Sequence, residues 1–221
     1  MFFARLLFCG SLVLMLTGCD STSSGVRETL HAAFMGVPEP SDKNLNPSFS
    51  YLRVTTATRV AYLALGYVDS HPQGPIEVWY SADFEVLRLQ NGRVVGTSGT
   101  MVEWRQVNLP ELPSWQQLLA QHEVLTWLRV RDVMPGYQFS RQDRLQLSPI
   151  APPHKSRLRR IAPETLRWFE ESFVAETPKG QRLPPARYAL EVASGSARVV
   201  YGEQCLSADF CLTWQRWKPE P

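Results

Sequence analysis

The sequence predicts a mainly β, antiparallel body with one or two short helices. Three observations carry this expectation. Apolar and polar residues alternate in short runs. Turn signals rich in Gly, Pro, Asn and Ser separate those runs. Aromatic residues are many, with seven Trp and seven Tyr among 221 residues, and strands favour them. Short strands in such an order close as a sandwich or a partly open barrel.

Ahead of that body lies a secretory signal. Arg5 supplies the positive start, Leu6 to Leu16 an apolar run, and Thr17-Gly18 lead into Cys19. The run is too short for the ~20 residues that span a bilayer. An ordinary signal has no use for a cysteine just after the cut, so the stretch resembles the lipobox of bacterial lipoproteins. The resemblance implies that the Cys19 thiol takes a diacylglyceryl group and that cleavage precedes Cys19. The new amine is then acylated, with palmitate as the expected chain. Residues 1–18 are thus read as signal peptide, 19–25 as a lipidated polar tether and 26–221 as one mainly β domain. Acyl chains contribute about 0.8 kcal/mol per buried methylene, and two or more anchor stably.

The mature chain keeps 22 basic and 21 acidic residues. Such neutrality argues against a general nucleic-acid binder. Of four cysteines, Cys9 leaves with the signal and Cys19 takes lipid. Cys205 and Cys211 remain, with five residues between them. An oxidising compartment predicts a disulfide there. The rival reading, a metal site, has no histidine nearby.

Each element follows from local pattern. Val26, Leu30 and Phe34 recur four apart and predict a helix ending at Gly36. Pro38, Pro40 and Pro47 make a loop. Strands are expected at 48–54, 59–68, 76–80 and 84–89, with a turn at His71-Pro72-Gln73-Gly74-Pro75. Asn91-Gly92 is a hairpin signal before Arg93-Val94-Val95. Over 100–107, Met101, Glu103 and Arg105 alternate with Val102, Trp104 and Gln106. Ser114 caps a short helix whose Leu118 and Leu119 face inward. Residues 123–132 alternate again, with Val124, Thr126, Leu128 and Val130 on one face. After the Pro135-Gly136 turn, Tyr137-Gln138-Phe139 and Leu145-Gln146-Leu147 flank a polar break. Residues 165–174 fit a helix or a strand, and β surroundings favour the strand. A late hairpin joins 188–192 to 198–201 through Ser194-Gly195-Ser196, and Cys211 to Trp217 is a last strand.

The chain lacks the phosphate-loop, zinc-protease and Gly-x-Ser-x-Gly patterns. Asp83, Glu85, Glu103, Glu170 and Glu171 are carboxylates from which a glycosidase pair could be drawn, but no spacing selects two. Cross-strand ion pairs and solvated faces explain them better. The one charge cluster is His154, Lys155, Arg157, Arg159 and Arg160. It reads as a solvated face, with contact to acidic sugar, lipid headgroup or an acidic partner as the functional alternative. No cofactor or metal is expected beyond the lipid on Cys19.

The order of features resembles the YjbF/GfcB-like lipoproteins of exopolysaccharide and group 4 capsule operons. The likeness runs through the lipobox, Phe34-Met35-Gly36, Tyr51-Leu52-Arg53-Val54 and Val78-Trp79-Tyr80-Ser81-Ala82-Asp83. It continues through 87–99, with Asn91-Gly92 at its centre, and through Tyr201-Gly202-Glu203-Gln204 to Lys218-Pro219. One departure is Tyr188-Ala189, where an aromatic pair is expected. The resemblance implies a mostly β, membrane-anchored accessory protein without catalytic residues, acting in capsule or exopolysaccharide assembly or export. Its expected partners are the membrane, polysaccharide and other products of the export operon. The alternatives are an envelope glycan hydrolase and a carrier of an apolar ligand in a β-shell. Asp20 resembles an inner-membrane retention signal. Ser21 weakens that signal, and the family points to the outer membrane, which is the expected location.

Overall fold

The computed structural model describes residues 39–121, 124–178, 182–193 and 195–219. The lipobox, Cys19, the polar tether and the expected first helix lie outside the described residues, as do His122, Glu123 and Ser194.

Twelve strands follow in chain order. They are β1 (Tyr51–Thr55), β2 (Val60–Asp69), β3 (Ile76–Tyr80), β4 (Val86–Gln90), β5 (Arg93–Ser98) and β6 (Glu103–Asn108). After helix α1 (Trp115–Ala120) come β7 (Leu125–Met134), β8 (Gln138–Ile150), β9 (Arg167–Phe173), β10 (Ala186–Ala193), β11 (Ser196–Cys205) and β12 (Cys211–Trp217). They form one sheet in the order β5-β4-β3-β2-β1-β12-β11-β10-β9-β8-β7-β6. Every neighbouring pair is antiparallel. The sheet nearly closes into a barrel. Where β5 and β6 meet, the Trp104 N–H donates to Thr97 Oγ1 at 3.0 Å in place of a ladder bond. Of the two architectures expected, the partly open barrel is the one formed.

The hairpin at Asn91-Gly92 forms as its sequence requires, with positive φ at both residues. Gly92 has a second reason to be glycine, because a Cβ there would lie 2.5 Å from Val199. Residues 167–173 are strand, and the alternation Trp168/Phe169 feeds both faces of the sheet. Ser114 caps α1 through a capping box with Gln117. The helix is short, so packing holds it. The Trp115 indole donates to the Asn91 carbonyl at 2.7 Å, and its ring lies 5.5 Å from those of Phe169 and Tyr188.

Side chains fill the interior. Trp104 crosses it and donates to the Leu206 carbonyl at 3.0 Å. Leu52, Leu63, Leu89, Leu145, Leu190 and Trp214 pack around it. A second, smaller cluster lies outside the sheet, where Trp168, Ala189 and Tyr201 sit under Leu158 and Ile161. The strap carrying Leu158 and Ile161 is the long connection from β8 to β9, residues 151–166.

Two local expectations change. On β7 the face Val124, Thr126, Leu128, Val130 does not point to the core: Val124 and Leu128 are exposed, whereas Trp127, Arg129 and Arg131 are buried. The polar stretch 140–144 is no break but the middle of β8. Both differences have one cause. Asp143 on β8 pairs with the β7 arginines inside the barrel, so two polar runs become one buried network.

Candidate functional site

Three regions carry chemistry. The first is the buried network. Arg129 reaches Asp143 at 2.9 Å and Glu171 at 3.2 Å. Arg131 reaches Asp143 at 2.5 Å, and Arg93 lies 3.5 Å from Glu171. Arg129 and Arg131 lie over the Trp104 ring at 4.7 and 4.9 Å, and Arg93 lies over Trp115 at 4.2 Å. Cation–π contact adds to each pair what a dry interior withholds in hydration. Burial pulls the Arg131 guanidinium below its ordinary range, and Asp143 opposes that pull. Burial, and then the Glu171 charge, push the Tyr188 hydroxyl above its ordinary range. Adjacent on β9, Glu170 and Glu171 face opposite sides: Glu170 pairs outside with Arg187 at 3.1 Å. Sequence reasoning did not find the arginines, because they sit on other strands, β5 and β7.

The second region is the outer groove. One continuous cross-strand row, Tyr62–Arg53–Gln215–Tyr201–Ala189–Trp168–Ile150, runs over the outside of seven strands. The strap lies on this row. The Arg157 N–H donates to Tyr201 Oη at 2.9 Å, and the Arg157 guanidinium donates to the Thr56 carbonyl. Gln215 clasps Arg159: it accepts from the Arg159 N–H at 2.9 Å and donates to its carbonyl at 2.7 Å. Arg160 pairs with Asp42 at 2.9 Å and lies 4.1 Å over the Trp217 ring. Lys155 is exposed. Arg157, Arg159 and Arg160 are exposed as well, and they also bond the barrel. Backbone and side chains of Arg157, Arg159 and Arg160 pin the strap down. Ala189, the departure from the expected aromatic pair, is buried under that strap and Tyr188 points inward, so neither lines an open groove.

Beside the strap a groove of about 260 Å³ is lined by Glu39, Asp42, Tyr62, Arg159, Arg160 and Trp217, among others. Tyr62 and Trp217 rings lie 5.7 Å apart. The hydrogen bond from Arg53, at 2.5 Å, outweighs partial burial and holds the Glu39 carboxyl below its ordinary range. Burial raises the Asp42 carboxyl, but hydrogen bonds from Arg160 and Trp217 outweigh it and leave Asp42 below its ordinary range. Burial, then the Glu39 charge, push Tyr62 up to about 12. Carboxylates so held stay charged and are poor proton donors near neutrality. The groove can hold a polar ligand against an aromatic floor.

The third region is the end of the barrel where β1–β2, β3–β4, β5–β6, β7–β8 and β11–β12 turn. Cys205 and Cys211 are paired there by a disulfide, directly opposite in the β11–β12 register. Asp83 and Glu85 both pair with Arg59, and Glu103 pairs with Arg105. An apolar hollow of about 40 Å³ opens beneath them, lined by Val54, Leu63, Leu87, Phe210 and Leu212 among others. Sequence reasoning missed that Phe84, Met101 and Tyr137 stand exposed at this end. The signal was present: each is a large apolar residue inside a turn. Among the described residues, no group of three or more His, Cys, Asp or Glu could hold a metal ion. No helix there is long and apolar enough to cross a membrane.

Comparison with known proteins follows the fold. A crystal structure of the hypothetical lipoprotein YmcC from Escherichia coli (K12) is similar, with a TM-score of 0.56 and 18% identity over 88% of this chain and 97% of that one. At that identity the likeness is one of fold. No curated protein matches the chain. The family described as group 4 capsule polysaccharide lipoprotein gfcB, YjbF, matches residues 41–176, which run from the strap-side groove through β9. The chain belongs to this YjbF family of capsule-polysaccharide lipoproteins.

Proposed function

We propose that this lipoprotein is a non-catalytic accessory in the assembly or export of an extracellular polysaccharide, lipid-anchored at Cys19 and facing the periplasm from the outer membrane. The observation that carries the reading is the family match over 41–176, which covers both the buried network and most of the groove. The sites support it physically. Asp83, Glu85, Glu103, Glu170 and Glu171 each have an arginine partner. The 40 Å³ hollow is far below the ~300–1,000 Å³ of a ligand pocket, which weighs against the carrier reading. The partners we propose are the membrane, through the lipid, and polysaccharide or other export-operon proteins.

Deleting the gene in a strain that expresses its polysaccharide operon should reduce or alter the secreted polymer. Alanine at Asp83, Glu85 or Glu170, one at a time, should leave output standing. Loss of all output from one such change, with the protein folded and lipidated, would replace this reading with a glycan hydrolase.

A further inference from the structure

The four most exposed large hydrophobic residues among those described are Phe84, Met101, Tyr137 and Phe139, at 89, 76, 73 and 67%. They are not scattered. Phe84 belongs to the β3–β4 tip, Met101 to the β5–β6 tip, and Tyr137 and Phe139 to the β7–β8 hairpin. These tips are neighbours. A Cβ on Gly99 would lie 3.0 Å from the Phe84 carbonyl oxygen. Glu103, just past Met101, pairs in register with Met134, just before the Tyr137 turn. One end of the barrel thus carries a row of apolar side chains, and packing does not call for them.

The backbone sharpens the point. Phe84 has φ 64° and Tyr137 φ 52°. A left-handed backbone favours Gly or Asn and is costly for bulky residues. Strain of this kind is held where a side chain has work outside the fold.

We propose that this end rests on the bilayer holding the lipid anchor, with Phe84, Met101, Tyr137 and Phe139 dipping into its interfacial layer. The inference rests on the lipoprotein reading but not on the polysaccharide one. Three observations favour a lipid surface over another protein. First, the four apolar side chains are spread over three neighbouring hairpins rather than set in one flat patch, which suits insertion between headgroups. Second, the charges beside the β3–β4 and β5–β6 tips are paired among themselves, Arg59 with Asp83 and Glu85 and Arg105 with Glu103, and beside the β7–β8 tip Asp132 accepts from the Ser140 N–H and Arg141 donates to Gln138. The contact therefore needs no ionic partner.

Third, the anchor is within reach. Cys19 lies twenty residues upstream of Glu39, and a chain of that length reaches at most ~70 Å. A lipid anchor and a second membrane contact together hold more firmly than either does alone.

The test uses the lipidated mature protein on vesicles of phosphatidylethanolamine and phosphatidylglycerol with brominated acyl chains. A fluorophore is placed at Ala82→Cys, beside Phe84, or at Gln73→Cys, on the β2–β3 turn at the other end. Bromine should quench the Ala82 probe severalfold more than the Gln73 probe, and added salt should not change this. Adding F84S, M101S, Y137S and F139S should bring the Ala82 signal down to the Gln73 level. Weak quenching at both sites, or quenching that survives the four changes, overturns the proposal. Shielding of Ala82 that grows with protein concentration on unbrominated vesicles also overturns it, in favour of a second copy of this chain. None of these outcomes depends on polysaccharide output.

Discussion

The two ends of the barrel are built by opposite rules. At one, α1 turns inward: Trp115 and Leu118 are buried, the Trp115 indole has a carbonyl partner, and Ser114 closes the first turn of the helix. At the other, hairpin tips turn outward, and large apolar side chains lie in solvent, Phe84 and Tyr137 at positive φ. Between them the buried Arg129, Arg131, Asp143 and Glu171 pair with one another, while Glu171 Oε2 has no hydrogen-bond partner. The contrast separates two uses of aromatic residues. At the capped end they hold the fold. At the open end the fold holds them.

That contrast breaks most readily in the interior and at the cap. Asp143→Ala strands the buried Arg131 and leaves Arg129 only Glu171, and removing one partner of a buried pair costs about 3–5 kcal/mol. Trp115→Ala empties the cap and should cost about as much, about 3–5 kcal/mol. Chemical denaturation of each variant checks both. A loss under 1 kcal/mol at either site would show that the barrel does not lean on it.

A smaller effect is expected at the strap-side groove. Glu39 is held below the ordinary carboxylate range, chiefly by the Arg53 hydrogen bond. Its contribution is therefore present in full above the unfolded carboxylate range and is lost as pH falls through the lower, folded value. Below the ordinary carboxylate range the Arg53 contact should weaken and the thermal midpoint fall. Glu39→Gln should flatten that acid-side fall while leaving the midpoint near pH 7 only slightly lower. An identical acid slope in the variant would contradict the assignment.

Much of this was legible in the chain. The Asn91-Gly92 turn and the Ser114 cap follow from local chemistry, whereas 165–174 fits helix or strand locally and its β surroundings decided it. The inward face of β7 was not legible. There the apolar residues Val124 and Leu128 face outward, and Arg129 and Arg131 face inward because Asp143 and Glu171 neutralise them from other strands. A pairing between strands leaves no mark on either strand alone. The bonds that the basic run at 155–160 makes to the barrel were not legible for a related reason: the row that receives it, Tyr201 and Gln215, lies some fifty residues downstream. The outward tips left a readable sign, a bulky apolar residue within a turn, which hydrophobic patterning alone passes over.

Serines at the tips should change stability least of all, since exposed substitutions fall within about 0.5 kcal/mol. The four tip residues therefore offer the most direct measurement of whether the open end exists for contact rather than for folding. Secreted polysaccharide is compared in cells carrying the parent protein, the variant with F84S, M101S, Y137S and F139S, and a deletion, at matched amounts of lipidated protein. The account predicts that the variant keeps the parent's thermal midpoint yet secretes as little as the deletion. Full secretion from the variant, with the deletion impaired, would contradict it.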